Sequence, residues 1–222
     1  MKVLIVLAHP ESHGFNAAMA ERARATLVEA GHEVVVSDLY AVGFEPRSSR
    51  DNFTGVADPD YFKPQIEEMR ASETGGFATD IEREIARLEA CDLMIWQFPL
   101  WWFGVPAILK GWVDRVFVMG RVYGGPKVYA GGLKAGAKAV LSLTTGGPAG
   151  AYVPGGFNGD LMGVLRPIHR GMLQFVGFDV LAPQVVYGPA RMAPEDRMAA
   201  LDAWAARLAA ITGEVPIEVG AY

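Results

Sequence analysis

The chain has 222 residues, of which 51% are hydrophobic, and a formal net charge of −5. This content is enough for one packed core, so we expect a single domain over residues 1–222. The charged residues form no basic stripe, which argues against nucleic acid as a partner. No apolar run reaches about 18 to 20 residues and no secretory pattern follows Met1, which predicts a cytoplasmic protein without a transmembrane segment.

Five apolar runs predict buried strands, and the segments of helical periodicity between them predict helices. The predicted strands are residues 3–8, 32–36, 92–98, 139–143 and 180–187. The predicted helices are residues 16–30, 79–90, 106–117, 160–176 and 194–211. Residues 44–77 are rich in Pro, Gly, Ser and Asp and lack sustained periodicity, so they predict a long irregular excursion.

The alternation of strands and helices predicts an α/β fold, a doubly wound parallel sheet of five strands with helices on both faces. In the strand order 2-1-3-4-5, the loops after strands 1, 3 and 4 meet at the topological switch point, where such sheets bind ligands. These loops are residues 9–16, 99–103 and 144–147. We therefore expect a ligand site where the three loops meet.

The first of these loops lies between a strand and the N-terminus of a helix, where free backbone N–H groups favour a phosphate. His9 is placed to add a charge-assisted hydrogen bond. The loop has neither the Gly-x-Gly-x-x-Gly pattern nor the lysine of a phosphate-binding loop. The alternative is that Ser12 and Asn16 are only helix caps.

The other two loops suggest a flat ligand. The second contains Trp101, Trp102 and Phe103 directly after a buried strand, although single aromatic residues are more often part of a core. The third contains Gly146 and Gly147, whose N–H groups are candidates to face the carbonyl oxygens of a ring system. The alternative for these glycines is a tight turn with positive φ.

The sequence offers few residues for chemistry of its own. It contains no Gly-x-Ser-x-Gly motif, no Cys-x-x-Cys pair and no acidic metal-binding loop. The single cysteine, Cys91, precedes an apolar run and is expected to be a small buried hydrophobe. We therefore expect a bound cofactor to carry the chemistry and no metal site.

The sequence resembles the flavodoxin-like NAD(P)H:quinone oxidoreductases along nearly its whole length. The matching segments are residues 7–9, 15–16, 37–40, 97–112, 115–117, 144–147 and 159–160, together with Tyr152. The resemblance implies a flavodoxin-like fold, FAD bound without a covalent link (with FMN as the alternative), and a homodimer. It also implies NAD(P)H as co-substrate and a ping-pong cycle of two-electron hydride transfer to a small planar quinone.

The resemblance also implies which residues form the site. For the cofactor these are His9, Phe15, Asn16 and Ala18 at the diphosphate, Pro99, Leu100, Trp101, Trp102 and Phe103 along the ring and ribityl chain, Thr144, Thr145, Gly146 and Gly147 at the polar ring edge, and Arg197 at the adenosine end. The implied catalytic residues are Tyr152, Asn158 and Gly147. The implied substrate slot consists of Trp102, Phe103, Tyr123, Gly125 and the partner subunit's Phe175.

Some positions depart from the animal members of that family. Asn158 stands in place of a histidine and cannot give up a proton near neutral pH, so we expect Tyr152 and water to assist the ring anion. Gly125 stands in place of a tyrosine, which predicts a more open slot. Arg170, Gln174 and Glu218 occupy the positions of a structural zinc site, so no zinc is expected.

The fold alone leaves other functions open. One is a flavin-bearing regulatory subunit of a potassium-efflux transporter, and another is an azoreductase or nitroreductase type of flavoprotein. A third is a flavodoxin-like electron carrier, which keeps the flavin edge exposed to a protein partner. The enclosed slot expected from Trp102, Phe103 and Tyr123 favours a small planar substrate instead.

Overall fold

The structure, a computed structural model, describes residues 1–220 and has a parallel sheet between two layers of helices. Its strands are β1 (Lys2–Leu7), β2 (Glu33–Asp38), β3 (Leu93–Pro99), β4 (Lys138–Thr145), β5 (Asp179–Val180) and β6 (Gln184–Tyr187). Its α-helices are α1 (Phe15–Glu29), α2 (Pro64–Thr74), α3 (Thr79–Ala90), α4 (Ala107–Val116), α5 (Leu161–Ile168) and α6 (Pro194–Ala209). A π-helical segment, His169–Gln174, continues α5.

The sheet has the strand order β2-β1-β3-β4-β5, and β6 also pairs with β4. All of these pairs are parallel, which confirms the predicted doubly wound fold and the order 2-1-3-4-5. The single fifth strand predicted over residues 180–187 is wrong, because the strand is broken into β5 and β6. Pro183 lies in the break and has no N–H to donate to β4.

The two faces of the sheet pack against different helices. On one face, Ile5 and Ile95 pack with Met19 of α1 and Trp204 of α6. On the other face, Leu4 and Met94 belong to the cluster that contains Ile81, Ile85 and Trp112 of α3 and α4. Neighbouring residues of a strand point to opposite faces, and all seven residues of β3 are buried. No helix within residues 1–220 is long and apolar enough to cross a membrane.

The excursion predicted over residues 44–77 contains a helix that the sequence pattern did not reveal. Helix α2 has no apolar stripe, because it buries Glu67 and Glu68 instead. Glu67 accepts the N–H of Ala57 at 2.7 Å, and Glu68 accepts the N–H of Met119 at 2.7 Å. Burial raises the pKa of Glu68 above its ordinary value, and the hydrogen bond from the Met119 N–H offsets only part of this increase. Hydrogen bonds to Glu67 and Glu68 thus hold helix α2 in place. A prediction from apolar periodicity would have placed both glutamates on the solvent-exposed side.

The helix predicted over residues 160–176 changes its winding part of the way along. Asp160 caps α5 and accepts the N–H groups of Met162 and Gly163. Pro167 lies inside the helix, where it cannot donate a backbone hydrogen bond, and the π-helical segment follows it directly.

Candidate functional site

A cleft of about 540 Å³ lies at the carboxyl ends of β1, β3 and β4. The predicted residues that line it are His9, Phe15, Asn16, Pro99, Leu100, Trp101, Thr144, Thr145, Gly146 and Arg197. The lining residues that sequence reasoning missed are Gly188, Pro189, Ala190 and Arg191. The three loops predicted to meet at the switch point therefore do meet there, and the loop after β6 adds a fourth wall.

The first loop leads into α1 without a side-chain cap. The residue before the helix is Gly14, and neither Ser12 nor Asn16 caps it. A Cβ on Gly14 would lie 2.9 Å from His9 Cε1, so the glycine lets the imidazole pack against the start of the helix. The first turn of α1 contains no acidic residue. Its N–H groups and the helix dipole therefore favour an anionic group at this end of the cleft.

Buried hydrogen bonds join three elements beneath the cleft. The Gln97 Nε2 donates to Asn16 Oδ1 at 2.9 Å, and Asn16 Nδ2 donates to Thr144 Oγ1 at 3.0 Å. All three side chains are at most 4% exposed. Because Thr144 Oγ1 accepts from Asn16, its own O–H is free to donate into the cleft that Thr144 lines.

The loop after β4 directs its backbone carbonyl groups toward the protein. Thr145 O accepts the Gly188 N–H at 2.9 Å, Gly146 O accepts from the Arg191 guanidinium, and Gly147 O accepts from Thr145 Oγ1 at 2.8 Å. The N–H groups of Gly146 and Gly147 donate to no acceptor within residues 1–220. Two consecutive backbone donors are therefore available to a ligand.

The cleft has a positive electrostatic character in a chain of net charge −5. Arg191 and Arg197 both line it, and no Asp or Glu does. Arg197 Nη1 donates to Met192 O at 2.6 Å, which holds this guanidinium at the wall. Two arginines without a facing carboxylate suit a ligand with a phosphate or another anionic group.

The three residues predicted to be catalytic lie together, although they do not line the cleft. A Cβ on Gly147 would lie 3.0 Å from Tyr152 Cε2 and 3.3 Å from Asn158 Nδ2. Tyr152 is 8% exposed, and its ring centroid lies 6.0 Å from that of Tyr187. Burial raises the pKa of Tyr187, and the neighbouring Tyr152 adds a smaller electrostatic increase. No hydrogen bond joins the Tyr152 hydroxyl to another of the described residues, so it is available to a ligand.

Two predicted aromatic residues of the second loop point outward. Trp101 lines the cleft with its ring centroid 6.4 Å from that of His9. Trp102 and Phe103 do not line it and are 97% and 51% exposed. Their φ angles are +50° and +60°, in the left-handed region that costs an L-residue about 1–2 kcal/mol. Backbone hydrogen bonds between Trp101 and Gly104 close this turn and hold both side chains outside the core.

The remaining residues of the predicted slot lie elsewhere on the chain. Tyr123 and Phe175 of the same chain are in contact, with ring centroids 5.7 Å apart. Gly125 has a φ of +57° and open space where a side chain would stand. Within one chain Trp102 is almost fully exposed, and Tyr123 packs on Phe175. The slot that the partner subunit's Phe175 helps to form stays a prediction.

Three other sequence expectations concern residues outside the cleft. Ala18 lines an adjoining cavity of about 340 Å³ that shares Phe15 and Arg197 with the cleft. Arg170 and Gln174 hydrogen-bond to each other at 3.2 Å. Cys91 is buried, and burial raises the pKa of its thiol to about 11, so it remains protonated and unreactive at neutral pH.

The residues that line the fourth wall were missed for a definable reason. The switch-point rule places the ligand at the loops after strands 1, 3 and 4, so it predicts no contribution from the loop after the fifth strand. The signal was nevertheless present, because Gly188-Pro189 directly follows the strand and is typical of a turn. Gly188 has a φ of +61°, and residues Pro189–Arg191 form a 3₁₀ turn.

Comparisons with known proteins agree with this fold. Over residues 1–210 the chain matches a protein family described by its flavodoxin-like fold. Ribosyldihydronicotinamide dehydrogenase (quinone) of Rattus norvegicus is 44% identical over 217 residues, which are 97% of this chain and 94% of that protein. NAD(P)H dehydrogenase (quinone) 1 of Rattus norvegicus is 45% identical over 217 residues, which are 97% of this chain and 79% of that protein.

A solved structure gives the same result. The crystal structure of a candidate quinone reductase from Klebsiella pneumoniae superimposes with a TM-score of 0.93 at 38% identity, covering 98% of this chain and 87% of that chain. The sheet order agrees with the flavodoxin-like fold of these relatives. The chain is therefore an oxidoreductase that belongs to the flavodoxin-like family of quinone-reducing NAD(P)H dehydrogenases.

Proposed function

We propose that the protein is a flavin-dependent NAD(P)H:quinone oxidoreductase that binds FAD in the cleft at the switch point. The observation that carries the proposal is the combination of donors there. Free N–H groups on Gly146 and Gly147 lie near the end of β4, and two arginines line the cleft without a facing acid. A flavin has a flat ring with polar edges at one end and phosphate at the other, and both features match this distribution.

The residues present fit a flavin. The Thr144 hydroxyl and the two glycine N–H groups are donors, as the carbonyl oxygens of an isoalloxazine ring require. Pro99, Leu100 and Trp101 provide an apolar wall for the ring. The cleft volume of about 540 Å³ is typical of a small-molecule site.

Two features support FAD over FMN. The adjoining cavity of about 340 Å³ shares Phe15 and Arg197 with the cleft, so it offers room beside the cleft for an adenosine half. The second feature is the pair of arginines, Arg191 and Arg197, which suits a diphosphate better than a single phosphate. Release of the cofactor by heat, followed by mass spectrometry, distinguishes the two: the mass of FMN would refute this part of the proposal.

The chain's own residues would bind and orient the reactants. A bound flavin supplies hydride transfer, first from NAD(P)H and then to the quinone at the same site, which gives ping-pong kinetics. Tyr152 would donate its free hydroxyl to the charge that develops on the ring, with the Gly147 N–H as a second donor. Asn158 would hydrogen-bond beside them without exchanging a proton. Trp102 and Phe103 would stack against the planar substrate.

The exposed aromatic residues support a homodimer. Trp102 is 97% exposed, and the Tyr123–Phe175 pair lies apart from it on the same chain. A large apolar side chain held in solvent at an energetic cost is expected at an interaction surface. In the proposed dimer, the Tyr123–Phe175 pair of one copy covers Trp102 and Phe103 of the other, so that the substrate slot is built from two chains.

The decisive experiment uses the purified protein with its bound cofactor. We expect anaerobic addition of NADH, NADPH or dihydronicotinamide riboside to bleach the flavin absorbance, and a quinone added afterwards to restore it. Parallel lines in double-reciprocal plots would support the ping-pong cycle. A protein that takes up no flavin refutes the proposal. A flavin that none of these donors reduces would favour an electron carrier or a regulatory subunit of a transporter instead.

A further inference from the structure

The peptide bond between Gly146 and Gly147 joins two glycines at the edge of the cleft. Glycine has few steric restrictions on φ and ψ, so a peptide between two glycines rotates at low cost. Nothing lies within 4 Å of the position that a Cβ of Gly146 would take, so packing does not restrain it. Gly147 is packed more closely, since a Cβ there would lie 3.0 Å from Tyr152 Cε2. The carbonyl of this peptide belongs to Gly146, so a hydrogen bond to that oxygen fixes the orientation of the peptide on its unpacked side.

The hydrogen bond to Gly146 O comes from a residue that sequence reasoning missed. The Arg191 guanidinium donates to Gly146 O. The arginine is brought there by the turn after β6, in which the Gly188 N–H donates to Thr145 O at 2.9 Å and the Arg191 N–H donates to Gly188 O at 2.9 Å. Gly188 has a φ of +61°, and a Cβ there would lie 3.0 Å from Arg191 Nη2. The turn is thus built to bring this arginine against the glycine loop.

The contact has a consequence on the other side of the peptide. In a trans peptide the C=O and the N–H point in opposite directions, and no cis peptide is present within the described residues. Holding Gly146 O toward Arg191 therefore directs the Gly147 N–H away from the guanidinium. That N–H has no acceptor within residues 1–220. If the peptide rotated, a carbonyl oxygen would replace the donor.

We propose that Arg191 is a positioning residue that fixes the Gly146–Gly147 peptide, so that the Gly147 N–H remains a donor to the bound flavin ring. This inference rests on the proposed function. A ring that gains negative charge on reduction is stabilised by an N–H and destabilised by a carbonyl oxygen in the same place. Arg191 therefore raises the affinity for the reduced flavin relative to the oxidised flavin, and with it the reduction potential. Arg197 is held by Met192 O instead, and it makes no hydrogen bond to this loop.

The test compares the two-electron midpoint potentials of the flavin bound to the wild type and to Arg191→Met. We expect the ratio of reduced to oxidised dissociation constants to rise about tenfold, as for loss of a hydrogen bond to a charged group. For a two-electron couple, this is a potential about 30 mV lower. Titration of the apoprotein with oxidised flavin should show a smaller change. Arg191→Lys, which retains a donor, should recover part of the potential.

Two controls separate the hydrogen bond from the charge. Arg24→Met makes the same change in net charge at a surface helix position, where Arg24 pairs with Glu21, and should leave the potential unchanged. Repeating the measurement at roughly 1 M salt, where the Debye length is about 3 Å, screens a through-space charge effect and leaves a peptide orientation in place. A shift that disappears at high salt would overturn the positioning role.

The remaining outcomes are distinguishable. An unchanged potential in Arg191→Met refutes the inference and leaves the proposed function standing. A wild-type protein that binds no flavin refutes the proposed function, and the inference with it. If Arg191→Met does not fold, as judged by its thermal transition, Arg191→Gln replaces it, and an unchanged potential in that variant counts equally against the inference.

Discussion

The side chain of Asn16 donates a hydrogen bond to the Thr144 hydroxyl at 3.0 Å, across 128 residues of sequence. This bond ties the first turn of α1 to the end of β4, and Gln97 of β3 supports it from below. Asn16 and Thr144 are each 4% exposed. Water therefore cannot readily replace a lost partner, and breaking the bond would leave a buried polar group unpaired, which is costly. The bond fixes the distance between the first loop and the loop after β4, on two sides of the cleft.

Replacing Thr144 with valine should weaken both the fold and flavin binding. The substitution keeps the shape but leaves the buried Asn16 amide without its acceptor, which costs about 1–3 kcal/mol. Urea denaturation of the apoprotein measures the loss in the free energy of unfolding, and quenching of flavin fluorescence measures the affinity. Thr144→Ser retains the hydroxyl and should stay close to the wild type in flavin affinity. Equal flavin affinity in Thr144→Val and Thr144→Ser would contradict a donor role for Thr144.

Tyr152→Phe should lower the turnover number for quinone reduction by about tenfold or more, because a donor to the developing charge is lost. The thermal transition should barely change, because the hydroxyl makes no hydrogen bond to a described residue. Steady-state assays at saturating quinone measure the effect. Asn158→Ala serves as the comparison, since it removes the neighbouring amide and leaves the hydroxyl. A turnover number in Tyr152→Phe that equals the wild-type value would exclude the tyrosine from the chemistry.

Two tryptophans ten residues apart in sequence should respond in opposite ways to replacement by alanine. Trp102 is 97% exposed, so Trp102→Ala should change the free energy of unfolding by less than about 0.5 kcal/mol while reducing quinone turnover. Trp112 is fully buried and donates Nε1–H to Glu84 at 3.0 Å, so Trp112→Ala should cost about 3–5 kcal/mol. Chemical denaturation and quinone assays on both variants measure these effects. Full turnover in Trp102→Ala would remove Trp102 from the substrate slot.

The stability of the protein should decrease in mild acid because of His169. This side chain is 1% exposed, and burial lowers its pKa from 6.5 to about 4. Between these two values the unfolded chain binds a proton that the folded chain does not, so the free energy of unfolding falls as the pH falls, by about 3 kcal/mol in total. Above pH 6.5 the contribution is complete.

The matched variant for that experiment is His169→Gln, which cannot titrate. The difference in the free energy of unfolding between wild type and variant isolates the imidazole from the acidic groups, among them Glu68 with its raised pKa. We expect the difference to shift in favour of the variant as the pH is lowered from 6.5 toward 4. A difference that is independent of pH would show that His169 is protonated at the same pH in both states.

Much of the fold was predictable because its signals are local. The helix predicted over residues 79–90 is α3 with the same bounds, since its apolar residues repeat at helical spacing. Helix α2 was not predictable in this way, because its buried positions are glutamates whose hydrogen-bond partners lie elsewhere in the chain. The break between β5 and β6 lies at Pro183, where the apolar pattern continues but the backbone donor is missing.

The strand order, the three loops at the switch point and the family were predictable, because the apolar runs and the motif of residues 97–112 are continuous in the chain. Three relationships are visible only once the chain is folded: Arg191 contacts Gly146, Trp102 is exposed to solvent, and Tyr123 packs on Phe175. These relationships depend on side-chain direction and on contacts between distant segments, which sequence spacing does not encode. The position of the cleft was therefore predictable, and its fourth wall, residues 188–191, was not.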